Sequence, residues 1–574
     1  MKIGKFIFGL ILSLLIIVFP FSQWQPSPLD SIETLAVQLD GRKKPLDTVA
    51  RETVAQIHGR SSYKTATGEK LDSLSTYLSM WFNDRDWNQE PFILFNYRPL
   101  KEKLELDIEQ KYFSFGELVS SPLSQYLSAV KQKQAQGLDL NREEREAISI
   151  ETRLGLMIGT VGQNDLPLVP HPTDIKGKWL GVEQAGDYYG NEQVTPIVNQ
   201  LQTLKAGYQN HLATDSELAM MGNDLQTSLR NLSPNIYPSY ATLAEEVKFS
   251  VLHPFAKAWI IYALAFMVMV VTLISEKLPL YWTATGIFTG GILIQSYGFI
   301  ARMSIANRPP VTNMYESVIW VAFAIAVAAI VFEFIYQAKY YLLAAAPLAV
   351  ACLILADSLP AVLDGSIQPL VPVLRDNFWL SIHVPTITAS YACFALVMGL
   401  GHVILGHYLV SPAMNTRITY LSKLNYRVIQ VGVFLLATGI ILGGIWAHFS
   451  WGRFWGWDPK ETWALIALMS YLVPLHGRLV GWLKDFGMAV ISVVCFNAVL
   501  MAWYGVNFVL GTGLHSYGFT TGGSQLVVSS LVALDLLFVA IVAIRYQNWQ
   551  GGNKSQKKES IEISTQNSEL RTQN

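Results

Sequence analysis

The sequence predicts an all-α polytopic membrane protein of about ten transmembrane helices, with a mainly helical domain outside the membrane after the first span. Three observations carry that prediction. Of the 574 residues, 51% are hydrophobic and 15% charged, against roughly 45–50% and 25% in soluble domains. Mean hydropathy is +0.29. Uninterrupted apolar runs recur along the chain, each near the ~20 helical residues that cross a hydrocarbon core of about 30 Å.

In order, the runs cover about 6–22, 255–274, 281–300, 314–336, 340–357, 382–407, 429–447, 461–477, 487–506 and 525–545. The first follows Lys2 and Lys5, and Pro20-Phe21-Ser22-Gln23-Trp24 after it makes a poor cleavage site. Residues 1–22 therefore read as an anchor and not as a removed signal peptide. Residues 23–250 contain polar, helix-compatible stretches such as LNREEREAISIETRLGLMI, broken by Pro and Gly, and their length suits one soluble domain. Residues 251–545 form the main membrane domain. The segment 546–574, rich in Gln, Lys, Ser and Asn, has the composition of a disordered tail. No internal repeat is visible.

Basic residues orient the spans, because cytoplasmic loops carry an excess of Lys and Arg. One set of loops holds Lys277, Lys339, Arg417, Lys423, Arg427, Arg478 and Lys484, and the tail adds Arg545, Lys554, Lys557 and Lys558. The other set holds Arg302, Arg308, Arg375, Arg453 and Lys460. Both termini are then expected in the cytoplasm, in a cytoplasmic (inner) membrane protein with 23–250 extracytoplasmic. The net charge of -1 offers no basic surface for nucleic acid; the expected surrounding is a lipid bilayer. Cys352, Cys393 and Cys495 all lie in apolar runs, with neither a CxxC pair nor a CxxCH. That argues against a thiol–disulfide centre, a structural zinc site or a chain that is itself a c-type cytochrome.

Residues 451–463, WGRFWGWDPKETW, fall on the extracytoplasmic side in this topology. Asp458, Pro459 and Glu461 spell a helix start: acidic N-cap, proline at the first position and a capping glutamate. Trp451, Phe454, Trp455 and Trp457, interleaved with Gly452 and Gly456, exceed what an interfacial aromatic belt explains. Glycines beside flat rings suggest a shelf for a planar ligand. His383 and His515 are expected at the same side, on segments flanking the loop. Each alone reads as a hydrogen-bonded interfacial histidine; together they suit axial ligation of haem iron. His476 lies fifteen residues beyond Glu461, about 22 Å further along the helix. Its position leaves open a functional site within the span or a side chain snorkelling beside Arg478. His402 and His407 read as interfacial, and His448 as a loop residue. His58, His171, His211 and His253 belong to the soluble domain or its exit.

WGRFWGWDPKETWALI resembles the WWD signature of haem-handling proteins of cytochrome c maturation, specifically the CcsA/ResC-type subunit of System II. RPPVTNMYESVIW (308–320), FWLSIHVPTITASYACFAL (378–396), ETWALIALMSYLVPLHGRL (461–479) and GVNFVLGTGLHSYGF (505–519) agree in kind and order. The resemblance thus spans most of 255–545. VQLDGRKKPLDTVARE (37–52) is similar to a stretch ahead of this domain in large or fused members. The resemblance implies transport of haem b, as cargo, across the membrane and its attachment to the CxxCH of an apocytochrome c. It implies His383 and His515 as external axial ligands, His476 as a ligand of a transmembrane haem site, and Trp451, Trp455, Trp457 and Asp458 as the surface cradling external haem. No residue is assigned a catalytic role of its own; the chain would be part of a holocytochrome c synthase (haem lyase) complex. In the family, the second transmembrane ligand comes from a CcsB/ResB half. The first span here contains no histidine, so a CcsB/ResB-like membrane protein is the expected partner. Alternatives are a System I type haem lyase subunit, a b-type electron-transfer cytochrome and a haem exporter without an apocytochrome substrate.

Overall fold

The computed structural model describes residues 2–572, apart from 23–26, 28, 66–67, 139, 163–164, 210–212, 275–279, 359–362, 371, 414–415, 511–512 and 516–524. His211 and Lys277, with parts of the stretch 505–519, lie outside the described residues. Among those described, the expected spans are all helical. They are α1 (Lys2–Ser22), α2 (Pro254–Ile274), α3 (Tyr281–Ala306), α4 (Met314–Tyr336), α5 (Tyr340–Ser358), α6 (Asn377–Val410), α7 (Thr416–Trp451), α8 (Pro459–Leu479), α9 (Asp485–Leu510) and α10 (Gln525–Thr572). Eight helices among the described residues are long and apolar enough to cross a membrane. The other two are α1, whose described apolar part is Ile3–Leu15, and α8, whose polar ends carry Lys460, Glu461, His476 and Arg478. The chain is a multi-pass membrane protein.

Backbone contact explains how α1 packs. A Cβ on Gly286 would sit 2.1 Å from the Phe6 carbonyl oxygen, and one on Gly9 equally close to that of Thr283. Small residues four apart on α3 let the two helices meet without side chains between them, the packing mode available where lipid offers no hydrophobic drive. At the other end of the chain, α10 continues to Thr572, where disorder was expected. The tail holds many Gln, Lys and Glu and no proline, so only Gly551 and Gly552 weaken the helix.

α6 and α7 run side by side as the long central pair of the bundle, and α6 also packs on α4, α5 and α9. His402 on α6, expected as an interfacial residue, instead meets Asp535 of α10, Nε2 to Oδ1 at 2.5 Å, with its ring stacked on Phe538. Ionisable groups in a span are costly unless they find one another, and this pair joins the last helix to the centre. Between α3 and α4, Arg302 and Glu316 form a buried pair at 2.8 Å. Arg302 also donates to the Gly365 carbonyl, and Glu316 accepts from the Thr312 amide. The stretch 308–320 is thereby clamped into the shape of a wall.

The soluble domain has its own core, including Trp87, Trp179, Phe92 and Leu225. Among the described residues it is mainly helical with three two-stranded antiparallel ribbons. The 37–52 stretch becomes a hairpin, Ala36–Leu39 with Arg42–Pro45, followed by helix Leu46–His58. Its turn, Asp40-Gly41, has φ of 52° and 72°, the mirror-image turn favoured by an Asp-Gly pair. Arg42 makes a two-pronged pair with Glu246 at 2.7 Å on helix Tyr240–Leu252, which leads into α2. The hairpin thus docks the domain onto the end of the bundle where α3 and α7 finish and α4, α6 and α8 begin.

Candidate functional site

At that end, α7 gives way to the tryptophan loop and α8 begins. Asp458 caps α8 by accepting from the Lys460 amide at 3.0 Å, and Glu461 reaches back to the Asp458 amide. The expected capping box is present. Glu461 does more: it accepts from the Gly456 amide at 2.8 Å and pairs with Arg453 at 2.8 Å. The Arg453 guanidinium in turn lies over the Trp451 ring at 5.5 Å. One carboxylate therefore folds the loop into a compact platform.

Asp458 has a second task that spacing did not suggest. Its Oδ1 accepts from His515 Nδ1 at 2.8 Å and its Oδ2 from the Leu514 amide at 2.6 Å. Burial alone would raise its pKa. The His515 hydrogen bond, that ring's charge and the two amides outweigh burial and hold the carboxyl down at about 2. Since a carboxylate only accepts, Nδ1 is the donating nitrogen, and in the neutral tautomer the lone pair is on Nε2. The ring stands edge-on to Trp451 at 5.0 Å and 84°.

His383 is prepared in the same way by a different acceptor. Its Nδ1 donates to the Gly439 carbonyl at 2.9 Å, which again leaves Nε2 with the lone pair. Gly443 makes this possible: a Cβ there would meet His383 Cε1 at 2.6 Å, so the ring lies against the bare backbone of α7. Trp446 flanks it at 5.6 Å.

Both histidines line one cavity, part of it open to solvent. Ile387, Tyr391, Ile440, Trp446, Trp451 and Trp455 line it with apolar and aromatic surface, while Thr312, Asn313, Ser317, Lys460 and Asn507 supply polar groups. Asn507 lies in Met501–Leu510, a π-helical end of α9, an irregularity often found at functional sites. The donor set fits a flat macrocycle with a metal at its centre: paired imidazole lone pairs, aromatic walls and no thiolate or third carboxylate. Among the described residues no cluster of three His, Cys, Asp or Glu is poised for a bare metal ion.

Not every expected residue is gathered here. Trp457, with φ of 58°, is 69% exposed, packs edge-on against Trp455 at 5.8 Å and is not among the cavity-lining side chains. His448, expected in the loop, instead lies in the last turn of α7 and stacks on Phe454 of the loop at 4.3 Å. His476 is far from the cavity on the exposed face of α8, its Nδ1 donating to the Leu472 carbonyl at 2.9 Å. The polar wall and Trp446 were missed; an intramembrane Asn and a lysine in the first turn of a helix were the available signals.

Residues 311–515, which contain every cavity-lining residue named above, match the family model of the cytochrome C assembly protein. The cytochrome c biogenesis protein CcsA of Prochlorococcus marinus (strain MIT 9215) is 35% identical over 256 residues, 38% of this chain and 80% of that protein. The CcsA of Synechococcus sp. (strain CC9311) is 33% identical over 296 residues, 44% of this chain and 96% of its own length. The chain belongs to the CcsA family of cytochrome c biogenesis proteins. It is also similar to Protein NrfI of Wolinella succinogenes, 28% identical over 500 residues. That match takes in 83% of this chain, more than the membrane helices supply, so it extends into the soluble domain. The chain spans about half, 53%, of the length of NrfI.

Proposed function

We propose that this protein acts in cytochrome c maturation by holding haem b, its cargo, between His383 and His515 and presenting it to the CxxCH motif of an apocytochrome c. The observation that carries this reading is the matched preparation of the two rings. Each donates Nδ1 to a fixed acceptor, which keeps the lone pair of the neutral ring on Nε2, and both rings line the same cavity. Trp451 and Trp455 offer faces to the porphyrin, and Asp458 orients His515 as carboxylates orient metal-bound imidazoles elsewhere. Each thioether bond then joins a cysteine sulfur to the inner carbon of a haem vinyl, with the thiol hydrogen passing to the outer carbon. No net oxidation occurs, so the cysteines must arrive reduced. The basic loops support a cytoplasmic location for both termini, in a cytoplasmic membrane, with the cavity and soluble domain outside. His476, on an exposed helix face with Nδ1 engaged by the Leu472 carbonyl, supports a transmembrane haem position completed by a CcsB/ResB-like partner.

Full-length protein co-expressed with that partner and a CxxCH apocytochrome should show a low-spin, bis-histidine spectrum and yield covalent haem. His383→Ala or His515→Ala should lower haem occupancy at this site by at least about 100-fold, beyond the usual 10–100-fold effect of an outer-shell partner. Added imidazole should partly restore both spectrum and yield. Unchanged spectra in both variants would sink the assignment. A protein that cycles electrons but never attaches haem would be a b-type cytochrome instead.

A further inference from the structure

Three successive cations, Arg42, Lys43 and Lys44, stand in the second strand of the soluble domain's first hairpin. All three are engaged inside the domain. Arg42 holds Glu246 with two bonds of 2.7 Å, and Thr48 donates to the same carboxylate at 2.9 Å. Lys43 donates to the Ile236 carbonyl at 2.9 Å and stands over the Trp179 ring. Lys44 pairs with Asp40 at 3.0 Å and Glu52 at 2.6 Å. Charge-assisted bonds are the strong and directional ones, so the hairpin is fixed to helix Tyr240–Leu252, which itself packs on α3. The hairpin turn then meets the membrane domain. A Cβ on Gly41 would sit 3.5 Å from Pro369 Cγ, so the turn backbone rests against that ring. Pro369 belongs to the connection between α5 and α6, whose preceding carbonyls are held from the other side: Gly365 by Arg302 at 2.9 Å and Gln368 by Arg308 at 2.5 Å. The next residue, Leu370, packs in one cluster with Val373, Leu374 and Trp446. Those three line the cavity, and Trp446 flanks the His383 ring at 5.6 Å. A path of direct contacts therefore leads from the soluble domain to a proposed iron ligand, and close-packed side chains transmit displacement because they have few alternative positions.

We propose that the soluble domain is part of the haem site: its hairpin, fixed by Arg42 to Glu246 and abutting Pro369, holds the α5–α6 connection against Trp446 and so keeps His383 in place beside the iron. This rests on the haem-site reading above and deepens it, by giving residues 23–250 a task in haem retention. Arg42 and Pro369 are positioning residues, since neither lines the cavity. Without the hairpin the connection is held by Arg302 and Arg308 alone, and the Trp446 side of the cavity loosens. Haem then leaves faster, although both imidazoles can still bind it.

The test uses full-length protein in lipid nanodiscs, loaded with haem, and measures haem release by its transfer to excess apomyoglobin. Pro369→Gly, which removes the abutting ring, and Arg42→Gln, which breaks the pair with Glu246, should each release haem about tenfold faster than wild type. The bis-histidine Soret band should be unchanged before release. Pro369→Val, which keeps bulk at the contact, should stay within about twofold of wild type. So should Lys131→Ala, which breaks an exposed pair with Glu151 elsewhere in the domain. A wild-type rate in either Pro369→Gly or Arg42→Gln would overturn the proposal. It is equally overturned if Lys131→Ala or Pro369→Val releases haem as fast as Pro369→Gly, because the loss would then follow from general loosening and not from this contact. If Arg42→Gln unfolds the soluble domain, Pro369→Gly, which lies outside that domain, decides alone. A wild type without a bis-histidine spectrum sinks the haem-site reading itself, a result that is seen before any variant is compared.

Discussion

The two ends of the membrane domain treat histidine differently. At the tryptophan-loop end, His383 comes from α6 and His515 from a turn beyond α9, and each is fixed by an acceptor on another segment: Gly439 of α7 and Asp458 of the loop. Towards the opposite end, His476 donates to Leu472, one turn back on its own helix, and lies exposed. In the same part of the bundle, His402 is occupied by Asp535. On the proposed reading a ligand pair is complete within this chain at one end, whereas at the other His476 lies exposed. The difference teaches that the proposed haem site at the first end rests on internal geometry, while one at the second would rest on what packs against α8.

The largest expected effect breaks that comparison directly. In the complex with a CcsB/ResB-like partner, His476→Ala should empty both haem positions, because in the proposed route haem reaches the cavity by way of the inner one. His383→Ala should leave the inner position filled. Haem per mole of purified complex, measured for the two variants side by side, decides it. Normal haem at the cavity in His476→Ala would remove the inner site from the route and return His476 to the role of a snorkelling residue.

A smaller effect separates the two tasks of Asp458. Asn caps a helix nearly as well as Asp and Ala does not, but only the carboxylate gives His515 Nδ1 a charged acceptor. Asp458→Asn should therefore keep helix stability within about 0.5 kcal/mol yet weaken haem binding by roughly 10-fold, while Asp458→Ala should lose about 1 kcal/mol as well. Thermal unfolding and haem titration read the two separately; equal haem affinity in wild type and Asp458→Asn would confine the residue to capping. The sign with pH follows from its depressed pKa. The stability Asp458 contributes is fully present above its unfolded value of ~3.9 and is lost as pH falls through about 2. Between pH 5 and 8, this group should therefore add no pH dependence of its own.

Much of this arrangement is legible in the sequence, and the remainder is hidden for definite reasons. Span positions follow from runs of apolar residues, and the α8 cap follows from Asp458, Pro459 and Glu461 within four positions. Local rules reach that far. The bond from Asp458 to His515 crosses 57 positions, and that from His402 to Asp535 crosses 133; no periodicity encodes either. The place of Gly443 is similar: a glycine in an apolar helix reads as weak helix former until His383 is seen lying on it. Orientation of Trp457 was equally hidden, since its left-handed backbone turns one ring of a dense aromatic cluster away from the others.

That last residue gives the smallest and sharpest test of the platform. Trp455 lines the cavity and Trp457 does not, although they are two apart and in edge contact. If ring density as such retained haem, the two should be interchangeable. If contact with the cavity decides, Trp455→Ala should weaken haem binding by about tenfold, the equivalent of 1.4 kcal/mol and within reach of one lost aromatic face. Trp457, already 69% exposed, removes little apolar surface from water, so Trp457→Ala should change haem affinity by less than about twofold. Any haem left in either variant should keep its bis-histidine spectrum, because neither ring supplies a ligand to iron. A Trp457→Ala protein that loses haem as severely as Trp455→Ala would mean that the exposed ring folds inward over the macrocycle when haem is bound.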